Sequence, residues 1–89
     1  MSKLQNKVAV ITGGNSGIGL AIAKKFQSEG ASIVIFGRNE NTLSAAAVEL
    51  GEDTLAVRGD VRNLEDLDRL FRQTKERFGG IDTLVVNAG

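Results

Sequence analysis

The chain has 89 residues, and its 11 lysines and arginines are balanced by 11 aspartates and glutamates, so the formal net charge is zero. This length accommodates one small domain, which we place at residues 1–89. Because the charges are interspersed, no basic stripe is present to bind a nucleic acid or an anionic membrane surface. No apolar run approaches the roughly 18 to 20 residues that span a bilayer. The start, MSKLQNK, is too polar for a secretory signal, and we expect a soluble, cytoplasmic protein.

The residue types that the chain lacks narrow its chemistry. It contains no Cys, His, Tyr or Trp, which excludes disulfides, thiolate metal sites and catalysis by an imidazole or a phenol. The general acids, bases and nucleophiles that are present are Ser, Thr, Lys, Asp and Glu. Because the acids are scattered along the chain, we predict no metal site.

Four short apolar runs predict strands at residues 8–11, 33–36, 54–57 and 84–86. Between them, apolar residues at helical spacing predict three amphipathic helices. The three sets are Ile18, Ala21, Ile22 and Phe26; Leu43, Ala46, Ala47 and Leu50; and Leu64, Leu67, Phe71, Thr74 and Phe78. Asn63 is the expected N-cap of the third helix, while Gly30, Gly51 and Gly79 are placed to end the three helices.

The alternation of strands and helices predicts an α/β fold, a Rossmann-like doubly wound parallel sheet of four strands and three helices. Each connection is long enough for a right-handed crossover. If the chain reverses direction after the third strand, the strand order is 3-2-1-4. The first two helices then cover one face, the third helix lies alone on the other, and the fourth strand is an edge.

The stretch TGGNSGIG, residues 12–19, joins the first strand to the first helix. Unpaired N–H groups and the positive end of the helix dipole meet there, which favours an anion. Gly13 permits a tight turn, Gly17 avoids a Cβ that would block a pyrophosphate, and Gly19 allows the helix to pack closely on the sheet. The spacing fits neither the GxGxxG template nor the Walker A motif. A glycine-rich turn without a ligand is the alternative interpretation.

The second strand ends in FGRN, where a dinucleotide-binding fold places the adenosine ribose, about 20 residues beyond the glycine loop. An acidic residue there would accept hydrogen bonds from both ribose hydroxyls, and none is present. Arg38 offers instead a permanently charged, planar guanidinium that suits a 2′-phosphate. We therefore expect NADP(H) to be preferred over NAD(H). A solvated arginine beside an N-cap at Asn39 is the alternative.

Three motifs together, TGGNSGIG, the Asp60 and Val61 pair and the final NAG, resemble the short-chain dehydrogenase/reductase family in order and spacing. The resemblance covers the whole chain. It implies that the following loop residues bind the cofactor phosphates: Gly13, Asn15, Ser16, Gly17, Ile18 and Gly19. It also implies that Arg38 contacts the 2′-phosphate, that Asp60 accepts a hydrogen bond from the adenine amino group, and that the Val61 backbone meets the adenine ring.

At the end of the fourth strand, the same resemblance implies that Asn87 ties this strand to its neighbours. Ala88 and Gly89 would leave room for the ribose. Purely structural roles in caps, turns and strand ends are the alternatives for Ser16, Asp60 and Asn87.

The resemblance to this family implies a catalytic arrangement of Ser, Tyr and Lys, contributed by elements after the fourth strand, with Tyr as the general acid and base. The chain contains no Tyr and stops at Gly89, so we predict no catalytic residue in it. We interpret it as the cofactor-binding amino-terminal half of such an oxidoreductase, present as a fragment, a truncation or a design and inactive alone. A structural or assembly module without a ligand, and one half of a split enzyme, are the alternatives.

The predicted fold leaves the fourth strand as an edge that carries Leu84, Val85 and Val86. An apolar edge strand is a template for pairing with another chain, and one sheet face has a single helix to cover it. We therefore expect self-association through this edge or through the undercovered face.

Overall fold

The computed structural model describes residues 4–13 and 17–87. In chain order, its elements are β1 (Val8–Thr12), α1 (Gly17–Ser28), β2 (Ser32–Gly37), α2 (Glu40–Leu50), β3 (Leu55–Arg58), α3 (Leu64–Phe78) and β4 (Thr83–Val86). Each predicted strand is confirmed to within one residue at either end, and all three predicted helices are present. Within the described ranges, no helix has the length and apolar character needed to cross a membrane.

The four strands form one parallel sheet in the order β3-β2-β1-β4, which confirms the predicted topology. Val10 of β1 lies opposite Val34 of β2 on one side and Leu84 of β4 on the other. All five residues of β1 are buried, because this strand is paired on both edges and covered on both faces. Three of the four residues of β4 are exposed, since it lies at the edge.

Alternate residues of each strand lie on opposite faces of the sheet and form two separate cores. Ala9 and Ile11 belong to the core that α1 and α2 cover. Val8 and Val10 belong to the core that α3 covers, together with the fully buried Phe36 of β2. The predicted distribution of two helices on one face and one on the other is therefore confirmed.

The inner face of α3 differs from the predicted one. Leu70, which the predicted stripe omits, is fully buried, whereas Leu64 is exposed and Phe71 is 39% exposed. The reason is that α3 packs over β2 and β3, and Arg69 donates a hydrogen bond to the carbonyl oxygen of Arg58 in β3. Because Leu64 and Phe71 lie on the opposite side of the helix from Arg69, the contact of Arg69 with β3 leaves their side chains exposed.

The predicted inner face of α1 is also wrong at two positions. Ile18 and Ala21 are exposed, whereas Gly19 and Ala23 are buried. Small residues on this side let the helix lie close to the sheet, so α1 is rotated toward them. Ile22, as expected, is among the partly buried residues that pack against the core.

Local capping chemistry defines most helix ends. Asn39 and Asn63 have extended backbones, and their side chains accept hydrogen bonds from the first turns of α2 and α3. Gly51 and Gly79 end these two helices with φ of 106° and 88°, values that favour glycine. Gly30 follows α1 with φ of 98°. The predicted N-cap at Asn63 and the predicted glycine stops are confirmed.

Candidate functional site

The carboxyl ends of the four strands meet at one edge of the sheet because all the strands are parallel. Gly13 follows β1, Arg38 follows β2, Asp60 comes shortly after β3, and Asn87 follows β4. α1 begins at the same edge. The fold thus brings together four residues that the sequence analysis singles out, at the position where open α/β sheets bind their ligands.

Asn87 joins the end of β4 to the end of β1. Its backbone N–H donates to the hydroxyl of Thr12 at 3.0 Å, and its side-chain Nδ2 donates to the carbonyl oxygen of Gly13 at 3.4 Å. The Thr12 hydroxyl in turn donates to the carbonyl oxygen of Val85 at 3.4 Å. Thr12 is not among the predicted site residues, although a polar residue that ends an apolar strand is a signal for such a link.

Gly13 and Gly19 meet where α1 passes the loop that follows β1. A Cβ added to Gly19 would lie 2.0 Å from the carbonyl oxygen of Gly13 and 2.8 Å from Nδ2 of Asn87. Gly13 has φ of +69°, and a Cβ there would lie 2.8 Å from the carbonyl oxygen of Asn87. The tight turn and the close helix approach that the loop spacing predicts are both present.

Gly17 is the first residue of α1 and has φ of +55°. A Cβ added there would meet no atom of residues 4–13 or 17–87 within 4 Å. Helix-initial N–H groups lack helical acceptors, and the positive end of the dipole lies there. No described residue fills the volume that a side chain would occupy at this helix amino end, where a phosphate group could lie.

Asp60 lies at the centre of a charge cluster beside the ends of β2 and β3. Its Oδ1 accepts hydrogen bonds from the backbone N–H of Arg62 at 2.9 Å and from Nε of Arg62 at 3.2 Å. Its Oδ2 accepts from Nη2 of Arg62 at 2.9 Å, and Nη1 of Arg38 lies 4.0 Å from the same oxygen. The side-chain hydrogen bonds from Arg62 are the main cause that lowers the pKa of Asp60 to about 2. The carboxylate is therefore an ionised acceptor at neutral pH.

Arg38 is held by its backbone while its guanidinium extends into solvent. The carbonyl oxygen of Arg38 accepts a hydrogen bond from Nε of Arg58 at 3.3 Å, and the next residue, Asn39, caps α2. The Arg38 side chain is 73% exposed. Its charge is thus available at the strand end, on the side where Asp60 lies.

The turn after β3 is fixed by contacts with Phe36 and α3. A Cβ added to Gly59 would lie 2.7 Å from the Phe36 ring and 2.9 Å from Cβ of Asp66. The backbone N–H of Asp60 donates to Oδ2 of Asp66 at 2.9 Å, which with a hydrogen bond from Arg69 lowers the pKa of Asp66. Sequence reasoning missed the positioning roles of Gly59 and Asp66; the glycine directly before Asp60 is the one signal that was available.

Two further predicted contact residues, Ile18 and Val61, are exposed apolar side chains. The other predicted site residues lie outside the described residues: Asn15, Ser16, Ala88 and Gly89. In residues 4–13 and 17–87, no group of three or more His, Cys, Asp or Glu side chains is placed to hold a metal ion. The arrangement places a helix amino end, an ionised hydrogen-bond acceptor and an exposed guanidinium along one edge.

Known proteins are similar in sequence to nearly the whole chain. A family model described as short chain dehydrogenase matches residues 7–89. The oxidoreductase asL5 of Sarocladium schorii is 48% identical over 89 residues, which are 100% of this chain and 36% of the relative. An uncharacterized oxidoreductase of Mycobacterium bovis is 49% identical over 90 residues, covering 99% of this chain and 36% of the relative. The chain thus spans little more than a third of the length of these curated relatives.

This chain also corresponds to only part of the length of similar solved structures. A short chain dehydrogenase from Bacillus anthracis superposes with a TM-score of 0.91 at 42% identity, over 97% of this chain and 36% of that one. A 3-ketoacyl-(acyl-carrier-protein) reductase from Brucella melitensis, complexed with NADH, superposes with a TM-score of 0.88 at 38% identity. It covers 92% of this chain, which corresponds to 34% of the reductase.

Proposed function

The chain belongs to the short-chain dehydrogenase family, and from this premise we propose that it binds a nicotinamide dinucleotide, NADP(H) in preference to NAD(H). The binding site is the carboxyl edge of the sheet. Open α/β sheets bind ligands in this place, and the reductase of similar fold was solved with NADH. The dinucleotide supplies hydride chemistry when it is bound, while the residues described here bind and orient it.

The amino end of α1 is the proposed site for the dinucleotide phosphates. Gly13 turns the chain, Gly17 keeps the space in front of the helix open, and Gly19 brings the helix against the loop. Asn15, Ser16 and Ile18 complete this part of the proposal. The open volume at Gly17 supports it, because a side chain at that position would occupy the space that the phosphates need.

Asp60 and its neighbours are the proposed adenine site. The ionised carboxylate of Asp60 accepts a hydrogen bond from the adenine amino group, and the backbone of the exposed Val61 lies against the ring. Asn87 holds the end of β4 beside the glycine loop. Ala88 and Gly89 are proposed to border the cofactor ribose.

The preference for NADP(H) rests on one observation, the exposed guanidinium of Arg38 at the end of β2. A planar, permanently charged guanidinium pairs with a phosphate through charge-assisted hydrogen bonds. The chain has no acidic residue in this strand end, FGRN, to accept the two ribose hydroxyls of NAD.

Replacing Arg38 tests this preference. We expect Arg38→Ala to weaken NADP binding by about 1 to 3 kcal/mol, the range for a lost charge-assisted contact, and to change NAD binding much less. Isothermal titration calorimetry with both dinucleotides measures the difference. Arg72→Ala, which removes an exposed arginine from α3, is the control for charge alone. Equal losses for NADP and NAD would refute the role of Arg38.

We propose that the 89 residues bind the dinucleotide without transferring hydride by themselves. The chain has no Tyr, the residue type that the family resemblance implies as general acid and base. Its oxidoreductase relatives are almost three times as long. A second chain that carries the catalytic groups would restore activity in the split-enzyme alternative. The absence of cysteine is compatible with the proposed cytoplasmic location.

A second proposal, self-association, is favoured by the surface around β4. Leu84 and Val86 lie on the α3 face of the sheet, by their register with Val10 and Thr12, and both are exposed. Phe71 of α3 is 39% exposed. The open edge of β4 and this apolar surface would be covered if two copies associated there.

A further inference from the structure

Arg62 stands out as a charged residue whose contacts overlap with the proposed adenine site. Through its backbone N–H, Nε and Nη2, it donates three hydrogen bonds to the Asp60 carboxylate. We propose that Arg62 is a specificity-determining residue that occupies the acceptor oxygens of Asp60 in the free chain and selects for dinucleotides with a 2′-phosphate. This inference rests on the proposed function and extends it to a residue that the sequence analysis did not single out.

Competition for Asp60 follows from the geometry of the pair. The two side-chain donors of Arg62 approach different carboxylate oxygens, Oδ1 at 3.2 Å and Oδ2 at 2.9 Å. A carboxylate offers about four lone-pair directions, and the backbone N–H of Arg62 takes another of them at 2.9 Å. About one direction is left open, so an adenine amino group that approaches Oδ2 competes with the Nη2 contact for this oxygen.

The side chain of Arg62 lies mostly in solvent. It is 77% exposed, while that of Asp60 is 28% exposed, so the contact breaks into solvent rather than into a packed core. Asp66 and Arg69, the other charged pair at this turn, are engaged with each other at 3.1 Å. Exposed ion pairs are weak, so Arg62 acts as a modest competitor that a ligand can displace.

The 2′-phosphate determines whether the bound dinucleotide offers the displaced Arg62 guanidinium a strong new partner. Arg38 and Arg62 approach the same Oδ2 of Asp60, at 4.0 Å and 2.9 Å, and Arg62 therefore lies close to Arg38, the proposed ligand of the 2′-phosphate. A phosphate dianion gives the displaced Arg62 a new charge-assisted partner. The neutral 2′-hydroxyl of NAD gives it a much weaker one. The free energy that is lost when Arg62 leaves Asp60 is thus regained when NADP binds but not when NAD binds.

Arg62→Gln tests the inference by calorimetric titration with NADP and with NAD. Because the lost competitor is an exposed ion pair, NAD should bind about threefold more tightly. NADP should bind at least about threefold more weakly, since it loses a phosphate partner. Arg72→Gln, which removes the same charge from the exposed surface of α3, should leave both affinities unchanged. A folded Arg62→Gln chain that binds NAD no more tightly than the wild type overturns the inference.

A ligand-free measurement separates this inference from the proposed function. Followed by the NMR resonance of its carboxyl carbon, Asp60 should titrate near pH 2 in the wild type and closer to 3.8 in Arg62→Gln. An unchanged titration overturns the inference, because Arg62 then does not hold the carboxylate. If the wild type binds NADP and the preference for NADP over NAD survives in Arg62→Gln, the inference fails and the proposed function stands. If the wild type binds neither dinucleotide, both fail.

Discussion

At the residue scale, each glycine in the segment that follows β1 is needed for a different physical reason. Gly19 lies inside α1, where helix propensity alone favours alanine by about 1 kcal/mol. A Cβ at Gly19 would nevertheless lie 2.0 Å from the carbonyl oxygen of Gly13, which is a backbone atom and cannot rotate away. Steric overlap therefore outweighs propensity at this position.

We expect Gly19→Ala to lower the free energy of unfolding by more than about 2 kcal/mol, because the helix must move away from the loop. Urea denaturation measures the change. Gly80→Ala is the matched control, since a Cβ there meets nothing within 4 Å, and it should change stability by less than about 1 kcal/mol. Equal stability of Gly19→Ala and the wild type would contradict the observed close approach.

The positions of the site residues can be predicted from the sequence, whereas some of their contacts cannot. The positions of Gly13, Arg38 and Asp60 after strand ends, and of Gly19 in the first turn of α1, follow from motif spacing alone. The three hydrogen bonds between Arg62 and Asp60 depend on the turn after β3, which Gly59 and Asp66 shape through contacts with Phe36 and α3. Such long-range packing leaves no periodic signal in the sequence.

At the scale of the elements, α3 shows how far a hydrophobic pattern determines packing. The pattern predicts the helix, its N-cap Asn63 and its end at Gly79, and all three are confirmed. It does not predict the rotation of the helix, because Leu64 and Phe71 fit an apolar stripe as well as Leu70 does. The contacts of Arg69 with Arg58 of β3 and of Asp66 with the backbone N–H of Asp60 in the following turn fit the rotation that buries Leu70.

Paired substitutions on α3 test this rotation. Leu70→Ala should cost about 2 to 5 kcal/mol of stability, because it leaves a cavity in the core on the α3 face. Phe71→Ala should cost much less, about 1 kcal/mol, since its side chain is 39% exposed. Urea denaturation of the two variants gives the order. A larger loss for Phe71→Ala than for Leu70→Ala would indicate that the stripe predicted from the sequence is the true inner face.

At the scale of the whole molecule, the sheet is covered unevenly. α1 and α2 cover one face, while the other carries α3 over β2 and β3. Leu84 and Val86 of β4 are left exposed on that face, and Val86 is 71% exposed. β4 has no charged residue or proline, the features that commonly protect an edge strand from pairing.

If two copies associate at this surface, a lysine there should prevent it. We expect sedimentation velocity to show association of the wild type that increases with concentration, and a monomer for Val86→Lys. Val48→Lys, on the exposed surface of α2, should associate like the wild type. A wild-type chain that stays monomeric over a wide concentration range would refute the proposal.

Backbone-amide NMR during an NADP titration tests most directly whether NADP binds along the carboxyl edge of the sheet. We expect saturable shifts that are largest at Gly13, Arg38 and Asp60, in the loops after β1, β2 and β3, and at Gly19 in α1, all at one edge of the sheet. Residues at the amino ends of the strands should shift little. No shift at millimolar NADP, or shifts confined to surfaces away from these four residues, would contradict the account.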